Sequence, residues 1–300
     1  MAFENLIDVK SLTIKQIDEI VKTARDFQLN KIKSSIAGKN AAIYFDENST
    51  RTRFSFEMAC HNLGLRIFNF NKETSSIQKK ESFLDTVKTL EAIGVDVLIM
   101  RSGNEQFFGE ILKNETLKIK VINAGCSDKS HPTQALTDYY TLKRHFGTLN
   151  GKTIAIVGDI LHSRVARSNI ELLKKYNVNI NLVAPNYFQD INIKDVNWHS
   201  NLEEGLKNAN AVMALRIQNE RIEGTVPVIH YVKNYRLDTN NFPKNALLLH
   251  PGPQNRDVEV SNELLSTKNA NTIIEQVTNG VYVRMAILEK ILKNDETVQK

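Results

Sequence analysis

The feature of this chain that most constrains its fold is a regular alternation of short apolar segments with amphipathic segments of helical period. The apolar segments have the length of β-strands, and they form one series in each half of the chain. Strands that alternate with helices predict βαβ units, in which a parallel sheet carries helices on both faces. The predicted strands are residues 41–45, 66–70, 95–100, 118–123, 153–157, 180–184, 211–215 and 246–249.

The two series predict two domains, and a length of 300 residues agrees at about 150 residues per domain. We expect an α/β fold with two doubly wound parallel-sheet domains and the active site in the cleft between them. The first domain would cover residues 1–147, with a C-terminal helix at about 276–300 packing back on it, and the second would cover residues 148–275. The predicted helices are residues 53–63, 82–93, 107–113, 133–146, 164–176, 202–207 and 276–292.

Composition excludes several classes of protein. Apolar residues make up 41% and charged residues 24% of the chain, which is ordinary for a globular protein. No apolar run approaches the roughly 18 residues that a membrane helix needs, and the first ten residues show no signal peptide. Cys60 and Cys126 are too few for a disulfide framework and lack metal-ligand spacing. We therefore expect a cytoplasmic protein with reduced thiols, no metal, no cofactor and no membrane contact.

The net charge of +5 fits a small anionic substrate, nucleic acid, a membrane surface or solubility alone. A nucleic-acid surface would need a basic stripe with interleaved aromatic residues. Aromatic residues make up only 7% of this chain and are scattered, and basic and acidic residues are interspersed. We therefore expect no nucleic-acid partner, and the positions of the arginines carry more information than the net charge.

Four arginines follow predicted strands directly or within the next loop: Arg51, Arg101, Arg164 and Arg216. Open parallel sheets bind ligands outside the carboxyl ends of their strands. The pattern therefore predicts a site for small, multiply charged anions.

Residues 49–52, STRT, open a predicted helix and form a candidate phosphate site. The first helical turn offers unpaired N–H groups and a partial positive charge, and Arg51 adds a planar fork of donors. The alternative is an ordinary helix cap made by Ser49 or Asn48, with Arg51 solvated. Spacing alone leaves both interpretations open.

Two resemblances to nucleotide sites fail. Residues 151–153, GKT, lead into a strand, and Phe146 stands where a P-loop needs its first glycine. Gly158 ends a predicted strand, but Ile160 breaks the Gly-x-Gly-x-x-Gly pattern of dinucleotide sites. An NAD-dependent oxidoreductase therefore loses its main support.

Residues 45–52 read FDENSTRT and match the carbamoyltransferase signature F-x-E-x-S-T-R-T. With this motif the chain resembles the aspartate carbamoyltransferase family. Residues 250–253 read HPGP, where ornithine carbamoyltransferases carry HCLP, and this favours the aspartate branch. Gly252 stands where some members of the family carry leucine. The resemblance continues in order at residues 76–81, 100–101, 131–134, 158–164 and 216–218.

The resemblance implies transfer of the carbamoyl group of carbamoyl phosphate to the amino group of L-aspartate. The products would be N-carbamoyl-L-aspartate and phosphate, at an early step of de novo pyrimidine synthesis. A homotrimer with shared active sites is implied as well. The acceptor could instead be another amino acid or an amine, and association with a regulatory chain or a dihydroorotase stays open.

The resemblance also assigns residues. Arg51, Thr52, Arg101 and His131 would be catalytic, because the last three contact the carbamoyl oxygen and Arg51 holds the phosphate. Gln134 and the backbone carbonyls near Pro251 and Gly252 would hold the carbamoyl amino group. The carbamoyl phosphate-binding set is Ser49, Thr50, Arg51, Thr52, Arg101, His131, Gln134, Gly252 and Pro253.

The aspartate-binding set that the resemblance implies is Lys80, Arg164, Arg216 and Gln218. Ser76 and Lys80 would enter the site from the neighbouring subunit. Taken alone, His131 is typical of a histidine that serves the structure, and residues 76–80 are typical of a surface loop.

Overall fold

The structure, a computed structural model, describes residues 3–72, 81–126, 129–218 and 228–293. The chain divides into two compact units. The first unit comprises Met1–Thr137 and Thr278–Lys300, and the second comprises Asp138–Val277.

In its described part, the first unit is built on a sheet of four parallel strands. Across the sheet these are β2 (Arg66–Phe70), β1 (Asn40–Phe45), β3 (Val97–Ser102) and β4 (Lys120–Cys126). The helices that precede or connect them, and the one that follows β4, are α1 (Ile14–Gln28), α2 (Thr50–Leu63), α3 (Phe83–Ala92), α4 (Gln106–Leu112) and α5 (Pro132–Phe146).

The central strands of this sheet are continuous apolar runs because helices cover both faces of a parallel sheet. Tyr44 in β1 is fully buried, and its ring centroid lies 5.0 Å from those of both Phe70 and Phe83. Phe83 in turn stacks on Phe107 at 4.2 Å. Backbone pairing of Ala41–Phe45 with Val97–Arg101 places β1 beside β3, so that the loops at their carboxyl ends are neighbours.

The described part of the second unit contains a sheet of five parallel strands. Across the sheet these are β7 (Asn197–His199), β6 (Asn179–Val183), β5 (Thr153–Val157), β8 (Ala211–Ala214) and β9 (Leu247–Leu249). The accompanying helices are α6 (Arg164–Leu173), α7 (Leu202–Leu206), α8 (Val228–Tyr235) and α9 (Asn262–Leu265).

Gly158 allows β5 and β8 to approach closely at their carboxyl ends. Its φ of +126° lies in a region that favours glycine, and a Cβ there would come within 2.5 Å of the carbonyl oxygen of Leu215. A side chain at this position would therefore push apart the two strand ends that carry the loops of interest.

The last helix, α10 (Asn271–Lys293), crosses from the second unit to the first. Near its end, Glu289 accepts hydrogen bonds from the backbone N–H of Ser35 at 3.1 Å and from the hydroxyl groups of Ser34 and Ser35 at 3.1 and 2.6 Å. These bonds tie the end of α10 to the loop before β1. Among the residues that the structure describes, no helix combines the length and apolarity needed to cross a membrane.

The predicted α/β fold with two parallel-sheet domains is confirmed. The compact units divide inside α5, at residues 137/138, and inside α10, at residues 277/278. The domain bounds at 147/148 and 275/276 stay a prediction, which rests on the turn-forming residues 147–151.

The predicted position of Arg101 was wrong, because this residue lies within β3 and not after it. The backbone N–H of Asp46 donates to the carbonyl oxygen of Arg101 at 3.1 Å, and Ser102 pairs with Cys126 of β4. These bonds extend the strand past its apolar run, and apolar patterning alone cannot register them.

Sequence reasoning also missed α1, α8, α9 and β7. In α1 a signal was present, since Thr13 and Gln16 form a capping box at its start. By contrast, β7 is a three-residue strand that pairs with β6 at the edge of the sheet, and so short a strand leaves almost no periodic pattern.

Candidate active site

In the sheet of the first unit, the direction in which successive strands are added changes between β1 and β3. From β1 the chain continues to β2 on one side, and β3 leads to β4 on the other. Ligands of open α/β sheets bind at such a switch point, outside the carboxyl ends of the strands. The loop after β1 holds the signature at residues 46–52, and Arg101 pairs with Phe45 at the end of β3.

The first turn of α2 suits an anion. Ser49 is the N-cap residue in extended conformation, yet its side chain makes no capping hydrogen bond. The ordinary side-chain cap that the sequence left open for Ser49 is therefore not formed. Arg51 is exposed, whereas Thr52 is 5% exposed. The N–H groups of this turn and the helix dipole favour a phosphate here.

Two carboxylates of the signature, those of Asp46 and Glu47, make hydrogen bonds to residues at the end of β3. A side-chain oxygen of Glu47 lies 3.2 Å from Nε of Arg101, whose side chain is only 13% exposed. Asp46 accepts hydrogen bonds from the hydroxyl of Ser102 at 2.6 Å and from the N–H of Gly103 at 3.1 Å. Sequence reasoning gave Asp46 and Glu47 no role, although two acidic residues beside predicted anion-binding arginines were a usable signal.

His131 and Thr52, both predicted site residues, are brought together. Nε2 of the buried His131 lies 3.4 Å from the hydroxyl oxygen of Thr52. His131 directly precedes α5, and Gln134 lies half-buried in the first turn of that helix. The first unit therefore gathers an arginine fork, a hydroxyl and an imidazole around the starts of two helices.

The switch point of the second sheet lies between β5 and β8. Arg164 is the first residue of α6, just after the β5 loop, and is only 7% exposed. Arg216 follows β8 by two residues, is half-buried, and donates from Nη1 to the carbonyl oxygen of Ile217 at 3.2 Å. Two arginines therefore flank this second switch point.

A buried carboxylate, Asp159, joins the two loops that carry these arginines. One oxygen accepts from the backbone N–H of His162 at 3.2 Å and lies 2.8 Å from Nδ1 of the same residue. The other accepts from the backbone N–H of Gln218 at 3.0 Å. Sequence reasoning gave Asp159 no separate role, although a carboxylate directly after the glycine that ends a strand was a signal.

Residues 250–253 follow β9 at the same edge of the second sheet. His250 is buried, Gly252 has a φ of +73°, and the peptide bond between Gly252 and Pro253 is cis. Burial raises the pKa of Tyr231, and the charges of Glu259 and Asp159 add to the effect. The phenol therefore stays protonated close to these two carboxylates.

Ser76 and Lys80, predicted to enter from a neighbouring subunit, lie outside the described residues. Within residues 3–72, 81–126, 129–218 and 228–293, no group of three or more His, Cys, Asp or Glu side chains could hold a metal ion. Both units thus offer hydrogen-bond donors and cations at strand ends, where anionic groups can be held and polarised.

Two family models match the chain in succession. Residues 4–144 match the model described as aspartate/ornithine carbamoyltransferase, carbamoyl-P binding domain. Residues 150–291 match the model described as aspartate/ornithine carbamoyltransferase, Asp/Orn binding domain.

Solved structures with a similar fold include two aspartate transcarbamoylases. The enzyme from Trypanosoma cruzi in complex with N-(phosphonacetyl)-L-aspartic acid has a TM-score of 0.86 and 26% identity, over 96% of this chain and 95% of that one. The catalytic subunit from M. jannaschii has a TM-score of 0.86 and 28% identity, over 98% and 99%. Ornithine carbamoyltransferase from Thermus thermophilus, at 22% identity, a TM-score of 0.85 and coverage of 97% and 100%, shows a likeness of fold alone.

Proposed function

The chain belongs to the aspartate/ornithine carbamoyltransferase family, and from this membership we propose that it transfers the carbamoyl group of carbamoyl phosphate to L-aspartate. The products are N-carbamoyl-L-aspartate and phosphate, at an early step of de novo pyrimidine synthesis. The observation that carries the choice of acceptor is the pair of arginines, Arg164 and Arg216, at the switch point of the second sheet.

Charge decides between the two acceptors of the family. Aspartate presents two carboxylates, which arginine forks bind in bidentate geometry. Ornithine presents a cationic side chain, which a buried cation such as Arg164 would repel. The likeness to aspartate transcarbamoylases at 26% and 28% identity supports the same choice.

Carbamoyl phosphate is bound, in this proposal, by the first turn of α2. Arg51 and the hydroxyl groups of Ser49, Thr50 and Thr52 hold the phosphate. Arg101, His131 and Thr52 contact the carbamoyl oxygen, and the 3.4 Å approach of Thr52 to His131 supports their joint action. Gln134 and the carbonyls near Pro251 and Gly252 accept hydrogen bonds from the carbamoyl amino group, with Pro253 ending that loop.

Aspartate is bound by the second unit, with Arg164, Arg216 and Gln218 on its carboxylates. The buried Asp159 supports this assignment, because its bonds to His162 and Gln218 fix the two loops that flank the arginines. Lys80 of a neighbouring copy completes the aspartate site.

The reaction is a direct acyl transfer. The neutral amine of aspartate attacks the carbamoyl carbon, a C–N bond forms, and the C–O bond to phosphate breaks with the electron pair leaving on phosphate. The departing phosphate accepts the amine proton. Orientation of two bound reactants can supply about 7–11 kcal/mol of the barrier reduction. One donor to the developing oxyanion supplies about 3–4 kcal/mol.

The proposed reaction is tested by incubating the chain with radiolabelled carbamoyl phosphate and aspartate, ornithine or putrescine in turn. We expect label in carbamoyl aspartate, with a kcat/KM about 1,000-fold or more above that for either amine, because a desolvated arginine rejects a cation. Comparable transfer to ornithine or putrescine would overturn the choice of acceptor. Transfer to none of the three would overturn the reaction.

We also propose a homotrimer with shared sites. Phe54 and Met58, one turn apart on α2, are 61% and 51% exposed on the helix whose first turn carries the anion-binding residues. Burial of this pair against another copy would bring that copy beside the site. Ser76 and Lys80 of the neighbour are proposed to enter there.

Mixing two inactive variants tests the shared site. Arg51→Ala and Lys80→Ala chains should regain partial activity after dissociation and reassembly. Some mixed sites then combine Arg51 of a Lys80→Ala chain with Lys80 of a neighbouring Arg51→Ala chain. Mass measured by light scattering should correspond to three chains. Verified exchange of subunits without recovery would exclude a shared site.

We place the protein in the cytoplasm. The support is that Cys60 and Cys126 are both free thiols, as is usual in a reducing compartment. Cell fractionation followed by immunoblotting would check this, and recovery in a membrane or secreted fraction would contradict it.

A further inference from the structure

His250 lies at the end of β9 and is bound at three of its polar atoms. Its backbone N–H donates to the side-chain oxygen of Gln276 at 2.8 Å. Its Nδ1 accepts from the backbone N–H of Gly252 at 2.9 Å, and its Nε2 lies 3.1 Å from a carboxylate oxygen of Glu259. The side chains of His250 and Glu259 are 0% and 1% exposed, so water does not compete for these bonds.

The hydrogen bonds assign the tautomer of His250. Because the N–H of Gly252 is a donor, Nδ1 must be the unprotonated nitrogen that accepts it. The ring proton therefore lies on Nε2 and is donated to Glu259. By accepting the Nε2 proton, Glu259 supports the same tautomer that the N–H of Gly252 requires.

Glu259 makes hydrogen bonds at both ends of the loop formed by residues 251–254. The same carboxylate oxygen that accepts from His250 also accepts from the backbone N–H of Asn255. Residues 251–254 thus lie between two points that are fixed to one atom. These two hydrogen bonds restrict the orientation of the carbonyl groups of Pro251 and Gly252 more than the backbone of the loop would without them.

Glu259 and Gln276, the two residues that hold the loop, are themselves hydrogen-bonded to other elements. The backbone of Glu259 accepts from Leu237 at 3.0 Å, and the next residue but one, Ser261, donates back to Leu237 at 2.9 Å. On the other side, Gln276 donates to the buried Asp138 at 2.8 Å. Asp138 in turn accepts from Asn169 of α6 at 2.9 Å. The loop is therefore fixed to three helices and a bridge.

We propose that Glu259 is a positioning residue that acts through the His250 ring to aim the carbonyl groups of Pro251 and Gly252 at the carbamoyl amino group. This role rests on the proposed function. A buried carboxylate is costly to desolvate, and one that makes two bonds to a single loop is suited to fixing that loop. Selectivity for an amino group over a methyl group at the acyl carbon then depends on Glu259.

Acetyl phosphate is the probe, because it replaces the amino group of carbamoyl phosphate by a methyl group. The preference is the ratio of kcat/KM for carbamoyl phosphate to that for acetyl phosphate, measured by phosphate release with aspartate present. In Glu259→Ala we expect this preference to fall about tenfold or more, as for loss of well-aimed acceptors. Affinity for inorganic phosphate, measured by calorimetry, should change less than about twofold, since the phosphate site is separate.

Three further variants make the test decisive. Glu259→Gln keeps an acceptor oxygen and should retain the preference within about threefold. His250→Asn places an oxygen where Nδ1 lies and should keep more of the preference than His250→Gln, which can reach Glu259 but not Gly252. Glu263→Ala, an exposed acid in α9, is the matched control and should behave as wild type.

A folded Glu259→Ala chain with the wild-type preference would overturn the proposal. So would a Glu259→Gln chain as impaired as Glu259→Ala, or a reversed order of the two His250 variants. A wild-type chain that turns over neither acyl phosphate contradicts the proposed function itself. A wild-type preference that all variants retain contradicts only the positioning role.

Discussion

In the first unit the proposed phosphate-binding residues 49–52 form one continuous stretch of sequence, whereas the proposed site residues of the second unit come from the loops after three strands. Residues 49–52 occupy one helical turn, and Arg51 there is exposed. In the second unit the loops after β5, β8 and β9 are fixed by two buried carboxylates, Asp159 and Glu259. A substitution in the first site should therefore act locally, while one in the second should shift whole loops.

The largest expected effect is that of Arg51→Ala in the first unit. Loss of the arginine fork should lower kcat/KM about 1,000-fold, since Arg51 is proposed to hold the phosphate on which negative charge grows in the transition state. Because Arg51 is exposed, the thermal unfolding midpoint should stay unchanged. Steady-state kinetics and calorimetry measure the two quantities.

Arg53→Ala is the matched control for Arg51. Arg53 is exposed, lies two residues further along α2, and pairs with Glu57 at 3.0 Å within the helix. Its loss should change kcat/KM by less than about threefold, because exposed ion pairs contribute little. Equal effects of the two substitutions would show that α2, and not Arg51, was perturbed.

In the second unit, Asp159→Ala should act on binding and stability together. It removes a fully buried acceptor that holds His162 and Gln218. We expect the KM for aspartate to rise about tenfold or more, and the free energy of unfolding to fall by about 1–3 kcal/mol. Kinetics with each substrate varied in turn, and urea unfolding, provide the measurements. An equal rise in KM for both substrates would contradict a role confined to the second site.

Glu289→Ala serves as the comparison for Asp159→Ala, because Glu289 is a buried carboxylate of the first unit outside the strand-end loops. It accepts three hydrogen bonds from Ser34 and Ser35. Its loss should lower the free energy of unfolding by about 1–3 kcal/mol and leave kcat/KM unchanged at 25 °C. Reduced activity in the folded variant would show that buried carboxylates act on the reaction in both units.

The smallest effect concerns Cys60, in α2. Burial, helped by the charge of Glu57, raises the pKa of its thiol to about 12. At pH 8 only about one thiol in ten thousand would be ionised, so alkylation by iodoacetamide should be negligible in the folded chain. Peptide mass spectrometry checks this, with the urea-unfolded chain as the reactive control. Rapid labelling of folded Cys60 would indicate local opening of the first unit.

The difference between the units also explains which site residues could be predicted from the sequence. The signature at residues 45–52 is contiguous, so both its place after β1 and its resemblance to a family could be recognised directly. Arg164 and Arg216 were found because each follows an apolar strand. Glu259 was not found, because its partner His250 is nine residues away and no periodic pattern links them.

Strand ends were the least predictable part of the fold. Arg101 was expected beyond its strand, yet backbone pairing with Asp46 keeps it within β3. The chain passes from one compact unit to the other inside α5 and α10, and such a helix looks uninterrupted in sequence.

Periodicity and contiguous motifs are local properties, and they were enough to predict the α/β alternation, the two series of strands and the family. Which loops share a carboxylate depends on the folded chain. Asp159 joins loops from β5 and β8, and Glu259 joins His250 to the backbone N–H of Asn255. These are hydrogen bonds between groups that lie apart in the chain, and only the packing of the sheet edges brings such groups within bonding distance.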